Sequence, residues 1–265
     1  MKLLLLVFFL PFLFFAQPTL VSWNLQNFGS SKTDQSVVFI ASILKDYDIV
    51  ALQEIVVNPS GAQAVAKLAA ELTKTGTKWT YAVSDPTTSS AYKAERYAFL
   101  WKTHVVQLIG KPWLEKKYHL EIDREPFYAT FHYQNKPFTV VNFHAITQKR
   151  QPETEIKYFK FLPEHYPNLT LLFVGDFNCP ETHTVFNPLK KMGYASAFEN
   201  QKTTLRTQCI QNDCLASAFD NIYYPTSSVT LQQKGIIPFY EFFQNWNDAR
   251  KVSDHVPIWI QFQIH

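Results

Sequence analysis

LTLLFVGDFNCPE, residues 169–181, begins as a run of apolar and β-branched residues and turns polar within one step, at Asp176. The run has the length and composition of a strand buried on both faces. Strand side chains repeat every second residue, so Asp176 and Asn178 project the same way from its tip. An acid and an amide placed together at the carboxyl end of a buried strand can hold a cation, hold a phosphate or simply start a turn. The choice depends on what the other strands bring to the same end.

They bring the same kind of residue. TLVSWNLQNFG reads as a strand containing Asn24, and DIVALQEI as a second buried strand closing on Glu54. WTYAVSD, RYAFLWK and VVQLIG alternate in the strand manner, and EPFYATFHYQ with PFTVVNFHAI forms a hairpin across Asn135-Lys136, its second strand ending at His144. AFDNIYYP carries Asp220; SSVTLQQ and PIWIQFQ are later strands, the last following Asp254 and His255. Helical patterns lie between these: DQSVVFIASILKDY after an Asp cap, GAQAVAKLAAELTKTG closed by Gly76, and shorter ones near 153–162, 183–192 and 239–247. Hairpins mixed with strand–helix–strand units predict an α/β sandwich of several layers.

The 265 residues, 46% hydrophobic and 16% aromatic, with no Pro/Gly/Ser-rich linker and no internal repeat, predict one domain over 17–265. Residues 1–16, MKLLLLVFFLPFLFFA, set one lysine ahead of an uncharged apolar run too short to span about 30 Å of hydrocarbon comfortably. They predict a secretory leader, and hence a secreted or periplasmic chain with no stable membrane insertion once it is removed. In an oxidising compartment Cys209 and Cys214 can close a small loop, leaving Cys179 odd, with Cys179–Cys214 the competing pairing. A net charge of +3 permits a polyanionic partner without announcing one.

Asn24, Glu54 and Asp254 offer oxygen donors, which suit Mg2+, Mn2+ or Ca2+ better than zinc. No HExxH cage, Gly-rich phosphate loop or Gly-x-Ser-x-Gly elbow is present. Two histidines with acids to orient them suit proton transfer near neutral pH. Metal-assisted hydrolysis of a phosphate ester is the chemistry left.

SWNLQNFG, ALQEI, YKAERYAFLWK, DREPFYATF, VNFHA, VGDFN, FDNIYY and SDHVPI, in this order from residue 20 to 260, resemble the endonuclease/exonuclease/phosphatase superfamily, most of all its secreted deoxyribonuclease I branch. The resemblance implies a four-layer sandwich, two mixed β-sheets face to face with helices outside. It implies Glu54 as principal metal ligand with Asn24 and Asp254 beside it, and Mg2+ as the ion, with Mn2+ as a substitute and Ca2+ as a structural or co-activating ion. His255 would take a proton from the attacking water, oriented by Asp220; His144, paired with Glu95, would face the leaving group. Asp176 and Asn178 would hold the scissile phosphate or a second cation. Arg96, Arg124, Tyr92, Thr203 and Thr204 would contact the backbone of DNA, and the protein would act as a monomer.

In deoxyribonuclease I an arginine stands two residues beyond the metal glutamate; here that position is Val56, and the segment from His144 to Leu169 is shorter. Duplex grip should therefore differ. A sphingomyelinase or inositol-phosphate phosphatase of the same superfamily is the alternative, and Phe239, Tyr240, Phe242, Phe243 and Trp246 are its candidate lipid contacts, although helical spacing makes them core.

Overall fold

The computed structural model describes residues 17–88 and 94–265. The expected leader, residues 1–16, and Tyr92 lie outside the described residues. Four strands come first: β1 (Thr19–Phe28), β2 (Ile49–Ile55), β3 (Trp79–Val83) and β4 (Arg96–Lys102). They are followed by β5 (Gln107–Leu114), β6 (Phe127–Tyr133), β7 (Lys136–His144), β8 (Leu171–Asp176) and β9 (Tyr194–Ser196). The last are β10 (Leu205–Ile210), β11 (Asp213–Leu215), β12 (Asp220–Pro225), β13 (Val229–Ile236) and β14 (Ile258–Ile264). Two six-stranded sheets result, ordered β13-β14-β1-β2-β4-β3 and β5-β6-β7-β8-β12-β9, with β10 and β11 as a separate ribbon. Both large sheets are mixed, since β1/β2 and β7/β8 are parallel and their other pairings antiparallel.

The period-2 pattern divides the apolar side chains into three cores. Between the sheets, Leu20, Ile49, Ala51 and Phe99 face Phe131, Val140, Leu172 and Val174. On the outer face of the first sheet, Val21, Trp23, Val50 and Leu52 meet the buried faces of two helices, α1 (Asp34–Leu44) and α2 (Pro59–Lys74). On the outer face of the second, Val141, Phe143 and Phe173 pack on Ile156, Phe159 and Leu162 from the short helical turns after β7. Helix, sheet, sheet and helix make the four layers expected.

The inward-facing residues change character along each central strand. Leu20 gives way to Ser22 and Asn24, Ala51 to Gln53, Val140 to Asn142 and His144, and Leu172 and Val174 to Asp176. The inter-sheet core is therefore dry at one end and polar at the other. Just beneath the polar rim, Gln53 Nε2 donates to Asn142 Oδ1 at 2.6 Å and to Ser22 Oγ at 3.1 Å, while Asn142 Nδ2 donates to Leu52 O at 3.0 Å. This amide pair stitches the sheets together, and stranding either member in so buried a place costs about 1–3 kcal/mol.

Local details differ from the sequence reading. Thr33, not an Asp, caps α1, its side chain accepting from Ser36 N, with Asp34 inside the first turn. The β6–β7 turn falls one residue earlier than expected, at Gln134 and Asn135, both with positive φ as a tight hairpin of primed type requires, and Lys136 pairs with Tyr133. The β10–β11 ribbon and β9 were not anticipated. Cys209–Cys214 joins the ribbon's two strands, and Cys179 is free and buried, its thiol pushed up to about 12 by burial. Phe239 is core, with Tyr240, Phe243 and Trp246 packed against it; Phe242, 72% exposed, departs from the expectation that all these rings are core. Among the described residues no helix is long and apolar enough to cross a membrane.

Gly175 precedes Asp176 with φ +136°, and a Cβ there would fall 1.9 Å from the Phe143 carbonyl oxygen on the neighbouring strand. Gly175→Ala should cost about 3 kcal/mol, the scale of strain at a special φ/ψ combined with overpacking, through a shifted β7–β8 pairing. A denaturant midpoint unchanged from wild type would contradict this account of the strand pair.

Candidate active site

The polar ends of both sheets open into a cleft of about 770 Å³, walled by Glu54, Val56, Val57 and Asp254 on the first sheet's side and His144, Ile146, Thr147 and Asp176 on the second's. Sheet register does most of the positioning. His144 at the end of β7 and Asp220 at the start of β12 are both direct partners of Asp176 on β8. Glu54 departs from the period-2 rule. Its φ of +59°, beside a register shift between β2 and both neighbours, breaks the alternation at the end of β2. A non-glycine residue in this region stores about 1–3 kcal/mol, characteristic of functional positions.

Two imidazoles converge on one carboxylate oxygen. His144 Nε2 lies 3.4 Å and His255 Nε2 3.6 Å from Asp176 Oδ2. Each ring is held from behind by an acid: His144 Nδ1 is 3.0 Å from Glu95, and His255 Nδ1 is 2.7 Å from Asp220 Oδ2. Asn24 Nδ2 bridges the acids, donating to Glu54 Oε1 at 3.0 Å and to Asp176 Oδ2 at 3.2 Å. Asn178 turns back through its own N–H to Asp176 Oδ1 at 2.9 Å and through Nδ2 to Ala145 O at 3.0 Å. Asp254, half-buried, accepts from Gln26 Nε2 at 2.9 Å.

Several expected contact residues lie deeper than a surface grip would place them. Arg124 is buried behind His144, its Nη1 3.0 Å from Glu95 Oε2 and its Nη2 donating to Ala145 O. Arg96 donates to Val57 O at 3.2 Å and Ser84 O at 2.7 Å, tying the strand end to two loops. Thr203 is fully buried and donates to Asp220 Oδ2 at 2.6 Å, while Thr204 forms an isolated bridge with His255. Both threonines thus brace the His255–Asp220 pair.

The sequence reading missed a supporting ring. Tyr97 Oη donates to Arg124 O and accepts from His144 N, both at 3.1 Å. Ser253 Oγ donates to Asn24 O at 2.6 Å and accepts from His255 N at 2.9 Å, tying β1 to the segment that leads into β14. Glu155, nearly fully buried, accepts from Ile146 N at 2.6 Å and Asp123 N at 3.0 Å. Nothing in Glu155's local pattern separates it from its less buried neighbour Glu153; a tyrosine two residues after Glu95 and a serine directly before Asp254 were the only signals available for the others.

The electrostatics follow from burial and pairing. Burial works against the charged form of His255, but Asp220 and Asp176 overcome it and lift the imidazole to about 10. For His144, burial and Arg124 push down while Glu95 and Asp176 push up, and the balance is upward. Burial raises Asp176 but the two histidines prevail and hold it low; Asp220 is raised by burial and by Asp176, against the pull of His255. The site is thus two imidazole–carboxylate pairs around a third carboxylate.

A profile of the Endonuclease/Exonuclease/phosphatase family matches residues 21–255, and the chain belongs to that family. It is 27% identical to a deoxyribonuclease of Thioalkalivibrio sp. (strain K90mix) over 98% of this chain and 75% of that one. It is 26% identical to deoxyribonuclease-1 of Gallus gallus over 89% of each chain. In fold it matches a mannosyl-6-phosphatase of Bacteroides thetaiotaomicron VPI-5482 with a TM-score of 0.67 at 17% identity, covering 93% of this chain and 99% of that one. The architecture is thus shared with proteins named for nuclease and for phosphatase activities.

Because His255 titrates near 10 in the folded chain against an ordinary 6.5, its pairing adds stability that is complete below about 6.5 and is lost as pH rises towards 10. Asp220→Asn removes the largest upward influence. In chelator, histidine-selective NMR should show His255 titrating well below 10 in that variant; an unshifted curve would exclude Asp220 as its electrostatic partner.

Proposed function

We propose that this protein is a secreted, divalent-metal-dependent endonuclease that hydrolyses phosphodiester bonds of DNA with little sequence preference. The observation that carries the reading is the convergence of His144 Nε2 and His255 Nε2 on Asp176 Oδ2, each ring backed by its own carboxylate. Relatives named deoxyribonuclease, aligned over most of their own length, support DNA as the substrate class.

The donor set fits a hard dication. Glu54, Asp176 and Asp254 bring three carboxylates to one cleft, while Arg124 is already committed to Glu95 and the two histidines are shared with Glu95 and Asp220. Glu54 would hold the ion with Asn24 and Asp254 beside it. Asp176, Asp220 and His255 also place ligand atoms within 4.8 Å of one another, although His255 and Asp220 are bonded to each other through Nδ1 and Oδ2 at 2.7 Å. When bound, a dication supplies charge neutralisation at the phosphate and at the leaving oxygen.

The chain's own groups do the proton work. His255, fixed in orientation by Asp220 and Thr203, takes a proton at Nε2 from the attacking water. It can do so only when its own proton is gone, which requires the combined field of Asp220 and Asp176 to be offset. His144, kept cationic by Glu95, donates from Nε2 towards the leaving oxygen. Asp176, between the two rings, and Asn178 beside it would hold the scissile phosphate or a second cation and orient the water. As the resemblance to the deoxyribonuclease I branch implies, the 3′ oxygen would leave and the products would carry 5′-phosphates; contacts confined to the backbone leave base readout weak.

Plasmid incubated with the mature protein should be nicked in Mg2+ and left intact in chelator. His144→Ala and His255→Ala should each lower the nicking rate by about 10²–10⁴ with unchanged circular dichroism, the usual weight of one positioned acid or base. Turnover of sphingomyelin or an inositol phosphate with no nicking would establish the phosphatase-type alternative instead.

A further inference from the structure

Two short stretches, KKYHL (residues 116–120) and KYFKF (157–161), meet on the outer face of the second sheet. The Tyr118 ring lies 5.5 Å from that of Tyr158 and 6.1 Å from that of Phe161, and the last two are 6.3 Å apart. Each ring carries the ammonium of an adjacent lysine over its face: Lys117 on Tyr118 at 5.4 Å, Lys157 on Tyr158 at 5.2 Å and Lys160 on Phe161 at 4.7 Å. Leu120 beside them is 84% exposed.

The arrangement differs from an ordinary charged surface in what holds the lysines. Glu121, Glu153 and Glu164 stand on the same segments, yet among the described residues none forms an ion pair with these three lysines. Lys117 Nζ instead abuts His165 Nδ1 at 3.3 Å. A ring face positions an ammonium with about 0.5–1 kcal/mol at an exposed site while leaving its charge unneutralised. A carboxylate would cancel it. Three ammoniums are therefore presented in fixed places with their charge intact.

The platform is continuous with the cleft. Ile146 and Thr147 line the cleft, the turn Gln148–Arg150 then brings exposed Lys149 and Arg150, and Pro152 leads into the platform's helical segment. Glu155 locks that segment to the cleft by accepting from Ile146 N and from Asp123 N, next to Arg124. We infer that the Lys117–Lys157–Lys160 platform is an exosite for the phosphate backbone of DNA extending beyond the cleft. This rests on the nuclease reading above and adds to it a substrate-length dependence: the platform contributes to long polynucleotides and nothing to fragments confined to the cleft.

The test is the triple substitution Lys117→Gln, Lys157→Gln, Lys160→Gln, which alters no group in the catalytic set. Binding of duplex DNA in chelator, measured across a salt series, should lose about 2–3 from the slope of log K against log[salt], close to 0.9 per phosphate contact removed. Plasmid nicking should show a several-fold higher KM with kcat unchanged, and a hairpin duplex no longer than the cleft should be cut as by wild type. Restoring the charge as arginine at the three positions should recover the slope. An unchanged slope with normal nicking overturns the exosite alone. Loss of anionic-vesicle binding in the triple variant with an unchanged DNA slope overturns it in favour of a membrane surface. A wild-type protein that neither binds nor nicks DNA overturns the nuclease reading as well.

Discussion

A single carboxylate oxygen, Asp176 Oδ2, holds the site together. It lies within 3.6 Å of two imidazole nitrogens and accepts from the Asn24 amide at 3.2 Å, at a residue only 1% exposed. A charge so buried is costly unless it is paired. Here the pairing comes from both sheets at once: His144 from the same sheet, Asn24 and His255 from the opposing one. Asp176 therefore couples the relative placement of the two sheets to the protonation of both histidines. Anything that shifts one sheet against the other leaves a buried acid short of a partner and an imidazole short of its field. The amide pair Gln53–Asn142, one layer below, resists such a shift by the same means.

The rim is organised by a steady change in the inward-facing residues. Each central strand is apolar where it passes through the inter-sheet core and polar where it leaves, so acids, amides and imidazoles from strands far apart in sequence arrive at one level. Regular strand geometry delivers His144, Asp176 and Asp220 through register alone. Glu54 and Asn178, with φ of +59° and +48°, are delivered by backbone that has left the strand conformation. The fold thus supplies the coarse placement, and local strain supplies the aim of the cleft's more exposed acid.

How much of this was legible beforehand follows from the range of the forces involved. Strand identity and the four-layer arrangement were readable because period-2 apolarity is a local signal carried by seven or eight residues at a time. Most site members were readable because each stands at one end of such a run as a residue that burial would otherwise reject. Arg124 and Thr203 were assigned to DNA, whereas the structure sets them against Glu95 and Asp220: an arginine in a loop looks the same whether its partner is a phosphate or a carboxylate folded in from elsewhere. Tyr97, Ser253 and Glu155 went unnoticed for a related reason, since each bonds to a partner 9 to 229 residues away. The β10–β11 ribbon was concealed by its polar strands, although Gln211 and Asn212, both at positive φ, mark its turn as Gln134 and Asn135 mark the other.

The cleft's two walls bear differently on a polyanion. On the first sheet's side, Val56 stands where the resemblance leads one to expect an arginine, and it is packed in place: a Cβ on Gly29 would come within 2.3 Å of Val56 Cγ2, and one on Gly61 within 2.0 Å of its carbonyl. No long cation reaches over the cleft from position 56. The second sheet's side continues instead into Lys149 and Arg150 and then the ring-mounted lysines. Long-range attraction for phosphate depends on where uncancelled charge lies rather than on the modest net charge of +3. A duplex seated between such walls would meet a valine at one lip and a cationic surface beyond the other, two parts of the same charge distribution.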